Sequence, residues 1–162
     1  MADPVVSFYE NDSTAGGGTV MNAGNPLSFG SVSRGTTRVP GSDQSPLHVW
    51  NDKAGVCSSV DMESVRIGFT DASGGLTGEA INGTTLNGSE PFFEARSAGS
   101  SGCPDDAQTE WTRVGGTHYL DVGDIPSNSR RSIYVRAAVP VDASVGANAL
   151  ACRLIVDYTF EP

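Results

Sequence analysis

Lysine is almost missing from this chain. Lys53 is the only one among ten basic residues, which face nineteen acidic ones for a net charge of −9, and the sequence pI is about 4.4. Such an acidic surface repels phosphate backbones and anionic lipid, so neither nucleic acid nor membrane is expected as a partner. Histidine is scarce too, with only His48 and His118. There is no CxxC and no cysteine–histidine cluster, so no metal site is expected. Aromatic residues make up 7% of the chain. Sugar-cleaving clefts are floored by several aromatics, and only Trp50 and Trp111 offer large platforms. The bulk Ala, Leu, Glu and Lys of a helical bundle are lacking. No apolar run approaches the roughly 18 residues of a membrane span. The opening Met1-Ala2-Asp3-Pro4 shows neither the basic nor the apolar region of a signal peptide, so none is expected.

What the chain does have is turn-formers: 20 glycines in 162 residues, with many Ser, Thr and Asn. The length suits one domain, and a chain of this size buries about two-thirds of its unfolded surface without needing covalent staples. Short strand-like runs recur between turn clusters. Val5–Tyr9 opens the series, Leu27-Ser28-Phe29 and Val32 come next, broken by Gly30 and Gly35, and in the following Leu47–Asn51 Leu47, Val49 and Asn51 face one way and His48 and Trp50 the other. Val65, Ile67 and Phe69 share a face. Asp71–Ser89 is a polar insert whose Asn82-Gly83 and Asn87-Gly88 pairs predict hairpin turns between short strands. Trp111–Val114 and His118–Val122 read as a hairpin across Gly115-Gly116. In Arg131–Ala137, Ile133, Val135 and Ala137 alternate with polar neighbours, and Pro140 stops the run. Leu150, Cys152, Leu154, Val156, Tyr158 and Phe160 then hold one face of a long last strand, whose register is firmly set. About nine or ten strands joined by Gly and Pro turns predict an all-β fold, a single antiparallel two-sheet β-sandwich, with a small jelly roll or barrel as the alternative. Residues 1–162 form one domain on this reading, with 1–20 as a candidate extended arm.

Residues that could carry chemistry are few. No G-x-S-x-G accompanies the two histidines, which fit half-buried strand positions. A carboxylate pair for sugar hydrolysis could be drawn from Glu79, Glu90, Glu94, Asp105, Asp106 and Glu110, but without the aromatic floor. Asp71-Ala72-Ser73-Gly74-Gly75-Leu76-Thr77-Gly78-Glu79 loosely resembles a calcium loop and lacks its second and third acidic positions, so a plain Gly-rich turn is the simpler reading. Gly16-Gly17-Gly18 and Gly74-Gly75 carry no phosphate-loop ending. Three N-x-[ST] sequons begin at Asn11, Asn82 and Asn87. Of the three cysteines, Cys152 fits a small buried hydrophobe, whereas Cys57 and Cys103, both in Gly/Ser-rich stretches, could pair as a loop staple. No catalytic residue and no cofactor is expected.

One stretch has a recognisable layout. A polar turn, Ile125–Ser129, launches the strand to Arg136; Val139–Gly146 crosses over; the long last strand follows. This resembles the closing strands of immunoglobulin-like sandwiches of adhesion and virion proteins. Leu47-His48-Val49-Trp50-Asn51-Asp52, with Ser64–Gly68 after it, is similar to sandwich domains in structural proteins of tailed bacteriophages. Together these segments cover about a third of the chain. The resemblance implies a non-enzymatic virion protein assembled in the host cytoplasm, a head decoration protein or a tail or baseplate accessory. It would act by oligomeric packing on copies of itself or on other virion proteins. Val5, Val6, Phe8 and Tyr9 would then be an arm that pairs with a neighbouring subunit, against the simpler reading of a first strand in its own sheet. The alternative function is a carbohydrate- or receptor-binding module, with Trp50, Trp111, Tyr119 and Tyr134 as stacking residues. An aromatic row on one sheet face would favour that alternative, and burial of both tryptophans in the core would oppose it.

Overall fold

A computed structural model describes residues 3–10, 19–22, 24–39, 46–53, 60–83, 88, 90–100, 103–107, 110–144 and 147–161. In chain order the elements are β1 (Val6–Glu10), β2 (Thr19–Met21), β3 (Leu27–Val32), β4 (Thr37–Arg38), β5 (Leu47–Asn51), β6 (Met62–Asp71), α1 (Glu79–Asn82), β7 (Phe93–Ser100), β8 (Cys103–Ala107), β9 (Thr112–Arg113), β10 (Leu120–Ile125), β11 (Ser129–Ala138) and β12 (Ala147–Thr159). The fold is an antiparallel two-sheet sandwich. The larger sheet runs β2-β1-β5-β11-β7-β8, with β4 beside β11 and β9 beside β7, and the smaller runs β10-β6-β12-β3.

Alternation builds the core. Ile133, Val135 and Ala137 of β11 point inward with Leu47 and Val49 of β5 and Phe93 and Ala95 of β7. They meet Val65, Ile67 and Phe69 of β6 and Leu150, Cys152 and Leu154 of β12. Phe93 lies 5.4 Å from Phe29 and edge-on to Phe69 at 5.8 Å, so one aromatic group spans the sheets. Each such buried side chain contributes about 1.5–3 kcal/mol of transfer free energy. The alternation of β12 holds from Leu150 to Leu154, then Val156 and Tyr158 are partly buried and Phe160 is 36% exposed beyond the strand's end.

Three expectations are corrected. The polar insert holds α1, one turn of helix, where a hairpin was expected at Asn82-Gly83. Ile81, fully buried, anchors that turn in the core, and Gly83 ends it at φ +74 with its N–H on the Glu79 carbonyl. The Asn87-Gly88 pair lies partly outside the described residues. Trp111–Val114 and His118–Val122 do not form a hairpin: β9 pairs with β7 and β10 with β6, in different sheets. Gly115-Gly116 is where the chain crosses between them. Only the tight Gly115–His118 bridge remains of the expected pairing. Gly115 has φ +152, and a Cβ there would stand 2.9 Å from the Ile81 carbonyl. The N-terminal run is no free arm. Phe8 and Tyr9 pair with β2 on one side and β5 on the other, and Val6 pairs with Asn51, so the chain itself occupies both ladders of this strand. Val5 extends it through the bond from Asp52 N–H to the Val5 carbonyl.

Candidate functional site

The pleat that sends Leu47, Val49 and Ile133 inward sends their neighbours outward, onto the solvent side of the larger sheet. Arg130, Ser132, Tyr134 and Arg136 follow one another along β11 on that side. Trp50 and His48 of β5 stand opposite Arg130 and Ser132, and Tyr9 of β1 opposite His48. Arg96 and Glu94 of β7 stand opposite Tyr134 and Arg136, with Arg113 of β9 next in line.

Cations cover the aromatic rings at both ends of this face. At one end the Lys53 ammonium lies 3.6 Å from the Tyr9 ring centre and 5.5 Å from that of Trp50, whose other neighbour is the Arg130 guanidinium at 5.3 Å. At the other end Arg136 lies 4.1 Å and Arg96 5.2 Å from the Trp111 ring, and Arg96 is also 4.8 Å from Tyr134. Between the two ends His48 Nδ1 and Ser132 Oγ are hydrogen-bonded at 2.8 Å, both side chains buried. Cation–π contacts of this kind contribute about 0.5–2 kcal/mol each, more as water is excluded.

Glu94 organises the Trp111 end. It is only 8% exposed. One carboxylate oxygen accepts from Arg136 Nε and the other lies 3.0 Å from Arg113 Nε. Arg113 Nη1 also donates to the Pro91 and Ala138 carbonyls, which fixes the network to the backbone. A buried carboxylate needs such charged donors, and the guanidinium planes are held in turn.

Three of the four expected stacking residues, Trp50, Trp111 and Tyr134, therefore share one face. Tyr119 does not: it lies on the outside of the smaller sheet, beside Arg66 at 5.1 Å and packed on Gly68, where a Cβ would meet its ring at 2.7 Å. Neither tryptophan is in the core between the sheets. Trp50 is 7% exposed beneath its cations, and Trp111 is half-buried. Sequence reading missed the cations. The alternation of Tyr134 and Arg136 was visible in β11, but which strands flank it, and so which arginines meet which rings, depends on long-range pairing.

No protein-family model matches the chain. No curated protein and no solved structure matches it significantly.

The remaining candidates are placed elsewhere. Cys152 is fully buried, burial pushes its thiol far up, and it is unpaired; a protonated thiol is no nucleophile. It walls a cavity of about 280 Å³ between the sheets, with Phe8, Pro26 and Leu154. Cys57 lies outside the described residues, as does the Cys103 side chain, though its backbone is in β8. The Asp71 carboxylate serves its own loop. Oδ1 accepts from the Ser73 N–H, the Ser73 hydroxyl and the Gly75 N–H, which hold its pKa below the usual value, the Ser73 hydroxyl most of all. Among the described residues no three His, Cys, Asp or Glu side chains gather as a metal site.

Proposed function

We propose that this protein is a non-enzymatic structural protein that works by docking on neighbouring protein subunits through the outer face of its larger sheet. The sequence resemblance makes those neighbours the subunits of a tailed-phage particle, with this chain as a head decoration protein or a tail or baseplate accessory. One observation carries the docking part of the reading: Trp111, Tyr134 and their half-buried arginines, Arg96 and Arg136, are gathered on one sheet face, with the covered Trp50 further along it. Trp, Tyr and Arg are the residues that dominate protein–protein hot spots. They offer large rigid contact area and directional charge at low entropic cost, and here each guanidinium is already held against a ring. The experiment is mass spectrometry of purified particles from the native source, followed by electron microscopy. The chain is expected in stoichiometric amount; its absence from particles overturns the virion reading.

A carbohydrate- or receptor-binding role is the second reading, favoured by the half-buried Trp111 beside Tyr134. A glycan array read with wild type and Trp111→Ala separates the two. Glycan binding that Trp111→Ala abolishes, in a chain absent from particles, establishes the second reading over the first.

A further inference from the structure

The Trp111 end of the docking face holds a guanidinium that is fixed yet not used up. Arg136 gives Nε to Glu94 and its plane to Trp111, and its side chain is still 31% exposed. Its two terminal nitrogens have no partner among the described residues. A guanidinium locked from behind and along its face binds a carboxylate without first losing rotamer freedom.

The opposite sheet offers the complement. Where β6 begins and β10 runs beside it, Asp61, Glu63, Asp121, Asp124 and Asp157 are all exposed. Three of them are locked as well: Asp61 Oδ1 accepts from the Ser127 N–H, Asp121 Oδ1 from the Gly123 N–H and Asp124 Oδ1 from the Ser64 N–H. In each case Oδ2 has no partner among the described residues. The local cations, Arg66 and Arg131, are engaged with Asp157 and with the Asp124 carbonyl.

We propose that the Arg136–Trp111 end of the larger sheet docks on the Asp121–Asp124 edge of a second copy of this chain. Resting on the docking reading above, it names the neighbour. Charge complementarity selects that occupant: the chain carries nineteen carboxylates for ten cations, so its own acidic edge is the matching surface for its basic-aromatic end. The two surfaces lie on opposite sheets, so the contact is heterologous. Each copy keeps one surface free after pairing, and association continues head to tail.

Sedimentation velocity of the full chain tests this. Wild type is expected as dimers and larger species at about 0.01 M salt, where the screening length is roughly 30 Å, and as monomer near 1 M, where it is roughly 3 Å. Arg136→Gln is expected to be monomeric at low salt. So is the double variant Asp121→Asn/Asp124→Asn, which keeps the Oδ1 acceptors and so the fold. Mixed one to one, the two variants have one intact basic end and one intact acidic edge between them. They are expected to form heterodimers and nothing larger. Wild type that stays monomeric at low salt, variants that associate like wild type, or a mixture that stays monomeric each overturn the proposal. If Arg136→Gln melts well below wild type, Asp121→Asn/Asp124→Asn alone carries the test: monomer at low salt supports the proposal, and association like wild type overturns it. The two readings fail separately. A chain found in particles yet monomeric alone docks on a different subunit. A chain that self-associates but is missing from particles keeps this contact and loses the virion role.

Discussion

Asn51 is fully buried at the end of β5, on the inward face that also carries Leu47 and Val49. Its amide nitrogen donates to the Val60 and Ile125 carbonyls at 2.9 and 3.1 Å, and its oxygen accepts from the Val5 N–H at 3.4 Å. One side chain thus ties the start of β1 and the end of β10 to β5. Asn51→Leu keeps the branched shape and strands two buried carbonyls, which costs roughly 2–4 kcal/mol. Urea unfolding monitored by tryptophan fluorescence measures it. Asp71 gives a pH signature. Its folded pKa is depressed, first by the Ser73 hydroxyl and then by the Gly75 N–H, so its contribution is present above the unfolded value of about 4 and is lost as pH falls through the folded value. Melting temperatures of wild type and Asp71→Asn are expected to converge as pH drops below about 4.

At the scale of elements, α1 and the β9–β10 connection form one unit around Ile81. The buried Ile81 side chain roots the helical turn, and its carbonyl lies against Gly115 where the chain changes sheets. Ile81→Ala leaves a cavity and is expected to cost about 2–5 kcal/mol, read as a lower denaturation midpoint at unchanged slope. This unit was also the least legible part of the sequence. Asn82-Gly83 carries hairpin chemistry, and only the buried Ile81 one residue before it shows that tertiary packing overrides the turn preference. Val65, Ile67, Phe69 and the Ile133–Ala137 alternation were legible because a two-residue period fixes which side is buried whatever the partner. Trp50, Trp111 and Tyr134 could be named as candidates for the same reason. Their assembly on one face, and the separation of Tyr119, could not be read, because five strands from separate parts of the chain meet there. The short strands β2, β4 and β9, two or three residues each, are too brief to carry a periodic signal.

For the whole molecule, the net charge of −9 and pI near 4.4 set colloidal behaviour. Self-repulsion vanishes near pH 4.4, and light scattering is expected to peak there and to fall on either side. The smaller sheet guards its edges in another way. β10 pairs with β6 through register shifts around Gly123, and β3 pairs with β12 through shifts on both sides of Leu150. Broken ladders of this kind resist accidental strand addition, which leaves these edges to contacts made by side chains. The edge position of β3 has a consequence for Cys152, which stands directly across from Leu27 and is sealed from solvent. That sulfur is a chemical clock for the sandwich. It has no exposed surface of its own but walls the cavity beside Phe8 and Pro26, so a thiol reagent too bulky for that cavity meets it only when β3 lifts or the sheets part, and its labelling rate, followed by peptide mass mapping, times the opening of one edge. Labelling faster than global unfolding would show β3 peeling away alone, and equal rates would show two sheets that open only together.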